Sequence, residues 1–269
     1  MVELCINEKS LLFKNEAASL LAVDLEPLPF VSVVLPAYNE AETIRGVVLD
    51  YFKEIRRKIP SKLVVAEDGS VDGTKEILAS LADELPISVL SNRNRKGYAK
   101  GVADALKCCD GDWIFFSDSD GQYFPSDFWG LWENRGSFDM IIGRKVNRSE
   151  GVHRTILSKG FHSIFNSLFG LRLHDADCGF RLIRRDVIQS VVDEVSFLKY
   201  SFWAEFTIRA CLKGFRVCEV PINHASRANG GTRIYTPSKI PLIVIKQLMD
   251  LARLYFDVKK ISLIKVFLF

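Results

Sequence analysis

The chain has 269 residues, 48% of them hydrophobic and 26% charged, with a formal net charge of +3. That is enough for one large domain, or one domain with an appendage, around a sizeable core. The charge is too small to point to nucleic acid, and neither a low-complexity block nor a solenoid repeat is present. The six cysteines include the neighbours Cys108 and Cys109 but form no Cys-x-x-Cys pair and no zinc spacing. They read as reduced, mostly buried thiols of a cytosol-facing protein.

Residues 1–25 carry Glu3, Glu8, Lys9, Lys14, Glu16 and Asp24 and no basic start followed by an apolar core, so no signal peptide is expected. Glu26-Pro27-Leu28-Pro29 reads as a stiff linker. Strands are expected at 30–35, 62–66, 87–90 and in the run ending at Asp118, with a fifth at 138–143 and another at 215–220. Between them lie helical spacings over 41–59, around 72–82, over 96–109, over 158–169, near 185–192 and near 203–213. Strands alternating with helices at this pace describe an α/β fold, a mostly parallel sheet with helices on both faces. In such sheets ligands bind outside the carboxyl ends of the strands.

That rule singles out three polar turns. Trp113-Ile114-Phe115-Phe116 runs into Ser117-Asp118-Ser119-Asp120-Gly121-Gln122. Two hard oxygen ligands one residue apart, with Gln122 as a neutral third, suit Mg²⁺ or Mn²⁺ carrying a phosphate-bearing substrate; the alternative is a plain Asp/Gly turn. Pro36-Ala37-Tyr38-Asn39-Glu40 offers an aromatic face for a base or sugar and a carboxylate for its hydroxyls, or else a helix entry with Asn39 as cap. Glu67-Asp68-Gly69-Ser70 is an acidic turn better suited to base and ribose donors than to phosphate, or else a capped helix start. The basic loop Asn92 to Tyr98, which includes Lys96, is able to hold anions or simply to be solvated. His153, His162, His174 and His224 show no metal spacing and are read as structural.

Taken in order from about Val31 to about Tyr235, these residues resemble family-two glycosyltransferases of the GT-A fold, closest to the branch that makes polyprenyl-phosphate sugars, such as dolichol-phosphate mannose synthases. The resemblance implies a nucleotide-sugar site on Pro36, Ala37, Tyr38, Glu40, Glu67, Asp68, Lys96, Asp118, Ser119, Asp120 and Arg233, where Glu67 departs from the family's usual Asp. It implies a metal site on Asp118, Asp120 and Gln122. A Gly-x-Arg strand end is similar to Gly143-Arg144, and Arg154 and Ser158 resemble a pair that grips the acceptor phosphate together with Arg144. Asp175 through Gly179 and Phe180 resembles an acceptor-side motif, and Glu219-Val220-Pro221 with Arg227, Gly230 and Thr232 resembles a late loop closing on the donor. Asp118, Asp120, Arg144, Asp175 and Arg227 are the catalytic set so implied. If the acceptor is a hydroxyl rather than a phosphate, Asp175 or Asp177 is the candidate base.

The expected activity is inverting transfer of mannose or glucose from GDP-mannose or UDP-glucose to a polyprenyl phosphate. The alternative is a family-two enzyme acting on a glycan or protein hydroxyl. A catalytic unit over 30–235 then follows an extension over 1–29 and precedes an amphipathic segment over 236–269. In that segment Ile240, Ile243, Leu248, Leu251 and Leu254 form a broad apolar side, and Lys239, Lys246, Arg253, Lys259 and Lys260 add charge. Such a segment either lies in a membrane interface at the cytosolic face or packs on the domain. A membrane-anchoring partner subunit is a further expectation.

Overall fold

The computed structural model describes residues 28–146, 160, 163–198, 200–225 and 240–267. One seven-stranded sheet organises them: β1 (Val31–Ala37), β2 (Ser61–Glu67), β3 (Ile87–Ser91), β4 (Trp113–Ser117), β5 (Met140–Lys145), β6 (Phe180–Arg184) and β7 (Val217–Ile222), in the order β3-β2-β1-β4-β6-β5-β7. β3, β2, β1 and β4 are parallel neighbours. β6 runs antiparallel to both β4 and β5, while β5 and β7 are parallel. The helices are α1 (Ile44–Tyr51), continued by one π turn over Phe52–Arg56, α2 (Thr74–Glu84), α3 (Tyr98–Lys107), α4 (Phe128–Glu133), α5 (Arg185–Val191), α6 (Phe202–Leu212) and α7 (Ile240–Phe267). Residues 163–169 are also helical.

The central strands β1 and β4 are almost wholly buried, as expected of strands covered on both faces, whose sequences read as continuous apolar runs rather than alternating ones. Their cores interlock through aromatic edges. Phe115 meets Phe128 and Phe180 with ring centroids 4.9 Å apart in each case, both near-perpendicular, a preferred arrangement of aromatic quadrupoles. Each such buried ring contributes about 1.5–3 kcal/mol through apolar burial. In register, Val31 faces both Ser61 and Trp113, so the carboxyl ends of β1, β2 and β4 finish at one edge of the sheet, side by side.

One strand differs from the sequence reading. Phe180–Arg184, for which no strand was expected, is a central antiparallel strand. Arg181 is fully buried there. Its guanidinium donates to Cys178 O at 2.9 Å, Ala176 O at 3.1 Å and Thr207 Oγ1 at 3.2 Å, and these acceptors make its burial tolerable. β7 lies two residues later than the spacing suggested and contains Pro221, which an edge strand accommodates.

α7 runs as one helix through Phe267, joining the apolar residues after Ile261 to the preceding amphipathic stretch. Leu251 and Leu254 pack with Phe165, Ala204 and Ile208 in a second apolar cluster, and Arg209 reaches Asp257 at 3.1 Å. On its other side Ile245, Leu248, Met249 and Phe256 are exposed. No helix among the described residues is long and apolar enough to cross a membrane. Of the five described cysteines, all unpaired, Cys178 is buried, Cys109, Cys211 and Cys218 are half-buried and Cys108 is exposed.

Candidate active site

Two of the three polar turns are stitched to each other by side chains that accept backbone N–H groups. Asn39 adopts a left-handed conformation, φ 53°, a region Asn visits more readily than most residues. Its own N–H donates to Ser70 Oγ at 2.9 Å, and its Oδ1 accepts from the N–H of Val71 at 2.9 Å. Glu40 N–H donates to Thr74 Oγ1 at 3.0 Å and Ala41 N–H to Asp72 Oδ2 at 3.2 Å. Asn39 therefore ties the end of β1 to the turn after β2 instead of capping α1, whose N-cap is Thr43.

Glu67 is fully buried. One carboxylate oxygen accepts from Ser70 N–H, the other from Ser91 Oγ at 2.7 Å, with Lys75 Nζ 3.8 Å away. Expected at the donor, Glu67 is here enclosed by the turn that its carboxylate shapes. Asp68 accepts the N–H groups of Lys96 and Gly97, each at 2.8 Å, so it holds the basic loop against this edge. The Lys96 ammonium is paired with Asp104 at 2.8 Å. The guanidinium of Arg95 lies 4.0 Å from the centroid of the Tyr38 ring, a cation–π contact.

The third turn is fixed from three sides. Ser119, buried, donates its hydroxyl to Pro36 O. Asp118 N–H donates to Gly179 O at 3.0 Å, and a Cβ on Gly179 would collide with the Asp118 carboxylate. Gln122 N–H donates to Asp120 Oδ1 at 3.2 Å over Gly121, whose φ of 75° suits glycine. Gln122 Nε2 donates to Ala225 O at 2.9 Å and Ala225 N–H returns to Gln122 O at 2.9 Å. Enclosure first, then the charge of Asp120, pushes the Asp118 carboxyl up to about 7.

Such a carboxylate pair is uncomfortable without a cation, because burial and mutual repulsion both disfavour two charges. Among the described residues no group of three His, Cys, Asp or Glu side chains is arranged for a metal. Two carboxylates and an amide oxygen nonetheless fit Mg²⁺ or Mn²⁺, which characteristically take one or two carboxylates and complete their shell with substrate phosphates. The amide nitrogen of Gln122 is spent on Ala225, which leaves its oxygen as the atom it would offer such an ion.

Opposite this turn, the end of β5 delivers a cation the sequence reading passed over. Side chains alternate along a strand, so Arg144 and Lys145 leave opposite faces, and it is Lys145 that meets Asp175, at 3.9 Å between Nζ and Oδ2. Lys145 also lies close enough to Asp118 to oppose the rise of its pKa. Asp175 is buried, with its N–H held by Glu219 Oε1 at 2.6 Å. Asp177 Oδ1 accepts the N–H of Ala204 at 3.1 Å in the first turn of α6. Two aromatic residues also reach the site unannounced: Tyr98 donates to Asp118 Oδ1 at 2.8 Å, and Trp203 Nε1 donates to the Tyr98 hydroxyl at 3.0 Å. No sequence signal joins them, whereas Lys145 was findable by strand alternation from Gly143. Arg154, Ser158, Arg227 and Arg233 lie outside the described residues.

Comparison with known proteins gives the family and the fold to which the chain is similar. Residues 32–192, more than half of the chain, match Glycosyl transferase family 2. The glycosyltransferase AglD of Haloferax volcanii is 30% identical over 206 residues, covering 72% of this chain, which itself spans 32% of the length of AglD. The polyprenol monophosphomannose synthase of Mycolicibacterium smegmatis is 28% identical over 233 residues, 78% of this chain and 83% of that protein. Among solved structures, glucosyl-3-phosphoglycerate synthase from Mycobacterium tuberculosis, in complex with Mn²⁺, UDP-glucose and phosphoglyceric acid, superposes with a TM-score of 0.64 at 18% identity, over 85% of this chain and 80% of that one. The strand order with one antiparallel insertion is thus the GT-A arrangement, and with the match running from β1 to the end of α5, the chain belongs to glycosyl transferase family 2.

Proposed function

We propose that the chain is an inverting, divalent-metal-dependent hexosyltransferase that moves mannose or glucose from a nucleoside-diphosphate sugar to a polyprenyl phosphate at the cytosolic face of a membrane. Residues 30–235 form the catalytic unit of this reading and 236–269 its membrane-facing segment. The observation that carries it is the Asp118-Ser119-Asp120 turn at the end of β4, level with the polar ends of β1 and β2. The polyprenol phosphate named for the mycobacterial relative, which this chain matches over most of its length, supports that acceptor class.

In this reading Asp118, Asp120 and Gln122 hold the cation, and Asp68, Tyr38 and Glu40 shape the nucleoside side. A bound Mg²⁺ or Mn²⁺ supplies charge stabilisation to the departing diphosphate. Lys145 faces the same region and adds a fixed positive charge. The bond from the anomeric carbon to the diphosphate breaks as the acceptor phosphate oxygen bonds to that carbon from the opposite side. A phosphate monoester is already largely ionised, with a second pKa of about 6, so no group need remove a proton.

A second reading, transfer to a glycan or protein hydroxyl, is supported by the nearness of Asp177 to Asp118 and of Asp175 to Lys145, which faces the same carboxylate. Incubation with labelled GDP-mannose and UDP-glucose, Mg²⁺ or Mn²⁺, and dolichyl or undecaprenyl phosphate separates the two. A lipid-linked product is expected from one donor. Transfer only to hydroxyl acceptors favours the second reading, and no transfer from either donor overturns both.

A further inference from the structure

A directed line of contacts runs from the core of the molecule to Asp118. At its base Arg181, enclosed on β6, places its guanidinium 4.1 Å from the centroid of the Trp203 ring. Trp203 opens α6 and is 1% exposed; Phe116, Phe202 and Phe206 pack edge-on against it at 4.6, 5.0 and 5.5 Å. Its indole N–H meets the hydroxyl of Tyr98, and that hydroxyl meets Asp118 Oδ1.

The chemistry fixes the direction of both hydrogen bonds. An indole nitrogen only donates, so the Tyr98 oxygen is the acceptor in the first bond. The form of Asp118 that binds a cation is the ionised carboxylate, which only accepts, so in that form the Tyr98 proton is committed to Asp118 in the second. A tyrosine whose lone pair is engaged by one rigid neighbour and whose proton is engaged by another has one orientation. Asp118 Oδ1 is thereby pinned, and Oδ2 is the oxygen outside this bond.

We propose that Tyr98 is a positioning residue for the metal, held by Trp203 over Arg181, which fixes the Asp118 carboxylate so that it binds the divalent cation without first having to be ordered. The inference rests on the metal-dependent reading given above. Hydrogen-bond partners behind a metal ligand set its orientation, and their loss typically costs roughly 10–100-fold in metal affinity. Tyr98 makes no ion pair of its own and sits at the first turn of α3, away from the sheet core, so removing its hydroxyl leaves the packing of β4 and α6 in place.

The test is a Mn²⁺ titration of the full chain in the presence of UDP or GDP, with free Mn²⁺ read by electron paramagnetic resonance, on wild type, Tyr98→Phe and Trp203→Phe. Tyr98→Phe is expected to raise the Kd for Mn²⁺ about tenfold, and Trp203→Phe to raise it less, because the Tyr98 hydroxyl remains but loses its guide. Turnover of Tyr98→Phe should recover at high Mn²⁺, so that the loss lies in the metal activation constant and not in kcat. A rise below threefold in Tyr98→Phe, or a loss of turnover that added Mn²⁺ does not restore, overturns the inference. Absence of nucleotide-dependent Mn²⁺ binding in wild type overturns the metal-dependent reading itself, a result distinct from equal binding by wild type and variant.

Discussion

Lys145 engages Asp175 twice: its backbone N–H donates to Asp175 Oδ2 at 3.3 Å, and its ammonium lies 3.9 Å from the same oxygen. These contacts give Asp175 a structural part, holding the end of β5, that requires no proton transfer. If the acceptor is a phosphate, Asp175→Asn should keep transfer within about tenfold of wild type at saturating donor. General-base catalysis typically contributes roughly 10²–10⁴-fold. A collapse of that size, with donor binding intact, would identify Asp175 as the base and the acceptor as a hydroxyl. Initial rates with both donors decide it.

Asp120 stands beside Asp118 across Ser119, and its neighbour Gln122 is locked to Ala225 in the segment after β7. Asp120→Asn removes one of the two carboxylates proposed to hold the cation and leaves the turn's hydrogen bond to Gln122 available through the amide oxygen. Transfer should therefore fall about 10²-fold or more, the usual cost of losing transition-state charge stabilisation, while thermal stability holds or rises as the repulsion on Asp118 is relieved. Chelation of divalent ions should abolish wild-type transfer and add little to the loss in Asp120→Asn. Activity unaffected by chelator would remove the cation from the reaction.

The sheet edge and its three turns were legible in the sequence because each signal was local: an apolar run, then turn residues, repeated at βα spacing. Asp118, Asp120 and Gln122 fall within five positions of one another and needed no tertiary information. Tyr98 and Trp203 stand 105 positions apart and meet only because the fold brings the start of α6 against β4, where Trp203 packs on Phe116. Glu67 shows where a local signal stops. Its charge and its place at a strand end look the same in sequence whether the carboxylate meets a ligand or, as here, is enclosed by Ser70, Ser91 and Lys75. Alternation along β5 carried the information on Lys145, but the arginine beside it drew attention first.

Asp139 clamps the far side of the sheet and sets an acid limit on stability. It is buried and receives Arg216 N–H at 2.7 Å, the Arg216 guanidinium at 3.0 Å and Arg184 Nη1 at 2.7 Å. The hydrogen bonds from Arg216 lead in holding its carboxyl below the ordinary carboxylate range, with Arg184 adding to them. A carboxylate with a depressed folded-state pKa stabilises the protein above its unfolded value, about 3.9, and that contribution is lost as the pH falls through the lower folded value. Asp139→Asn should therefore cost about 1–3 kcal/mol at pH 7. The gap to wild type should narrow as the pH is lowered below about 4. Urea unfolding at pH 7 and at pH 3 measures both, and a gap independent of pH would show that the clamp acts through shape rather than charge.

α7 has two unlike sides, and the outer one should decide whether the protein meets a bilayer. Leu251 and Leu254 are committed to the domain, so substitution there would confuse folding with membrane binding. Ile245, Met249 and Phe256 are more than half exposed, at 57%, 52% and 65%, and Lys246, Arg253 and Lys259 share the helix with them. An exposed apolar face bordered by basic side chains binds anionic lipid through both terms at once. The full chain should co-sediment with vesicles containing phosphatidylserine, and the Met249→Glu, Phe256→Glu double variant should lose at least tenfold in apparent affinity. Its unfolding midpoint should stay near wild type, because both residues are exposed. Raised salt should weaken wild-type binding, since the basic residues act through screened charge. Equal sedimentation of wild type and double variant would mean that this face does not carry the contact.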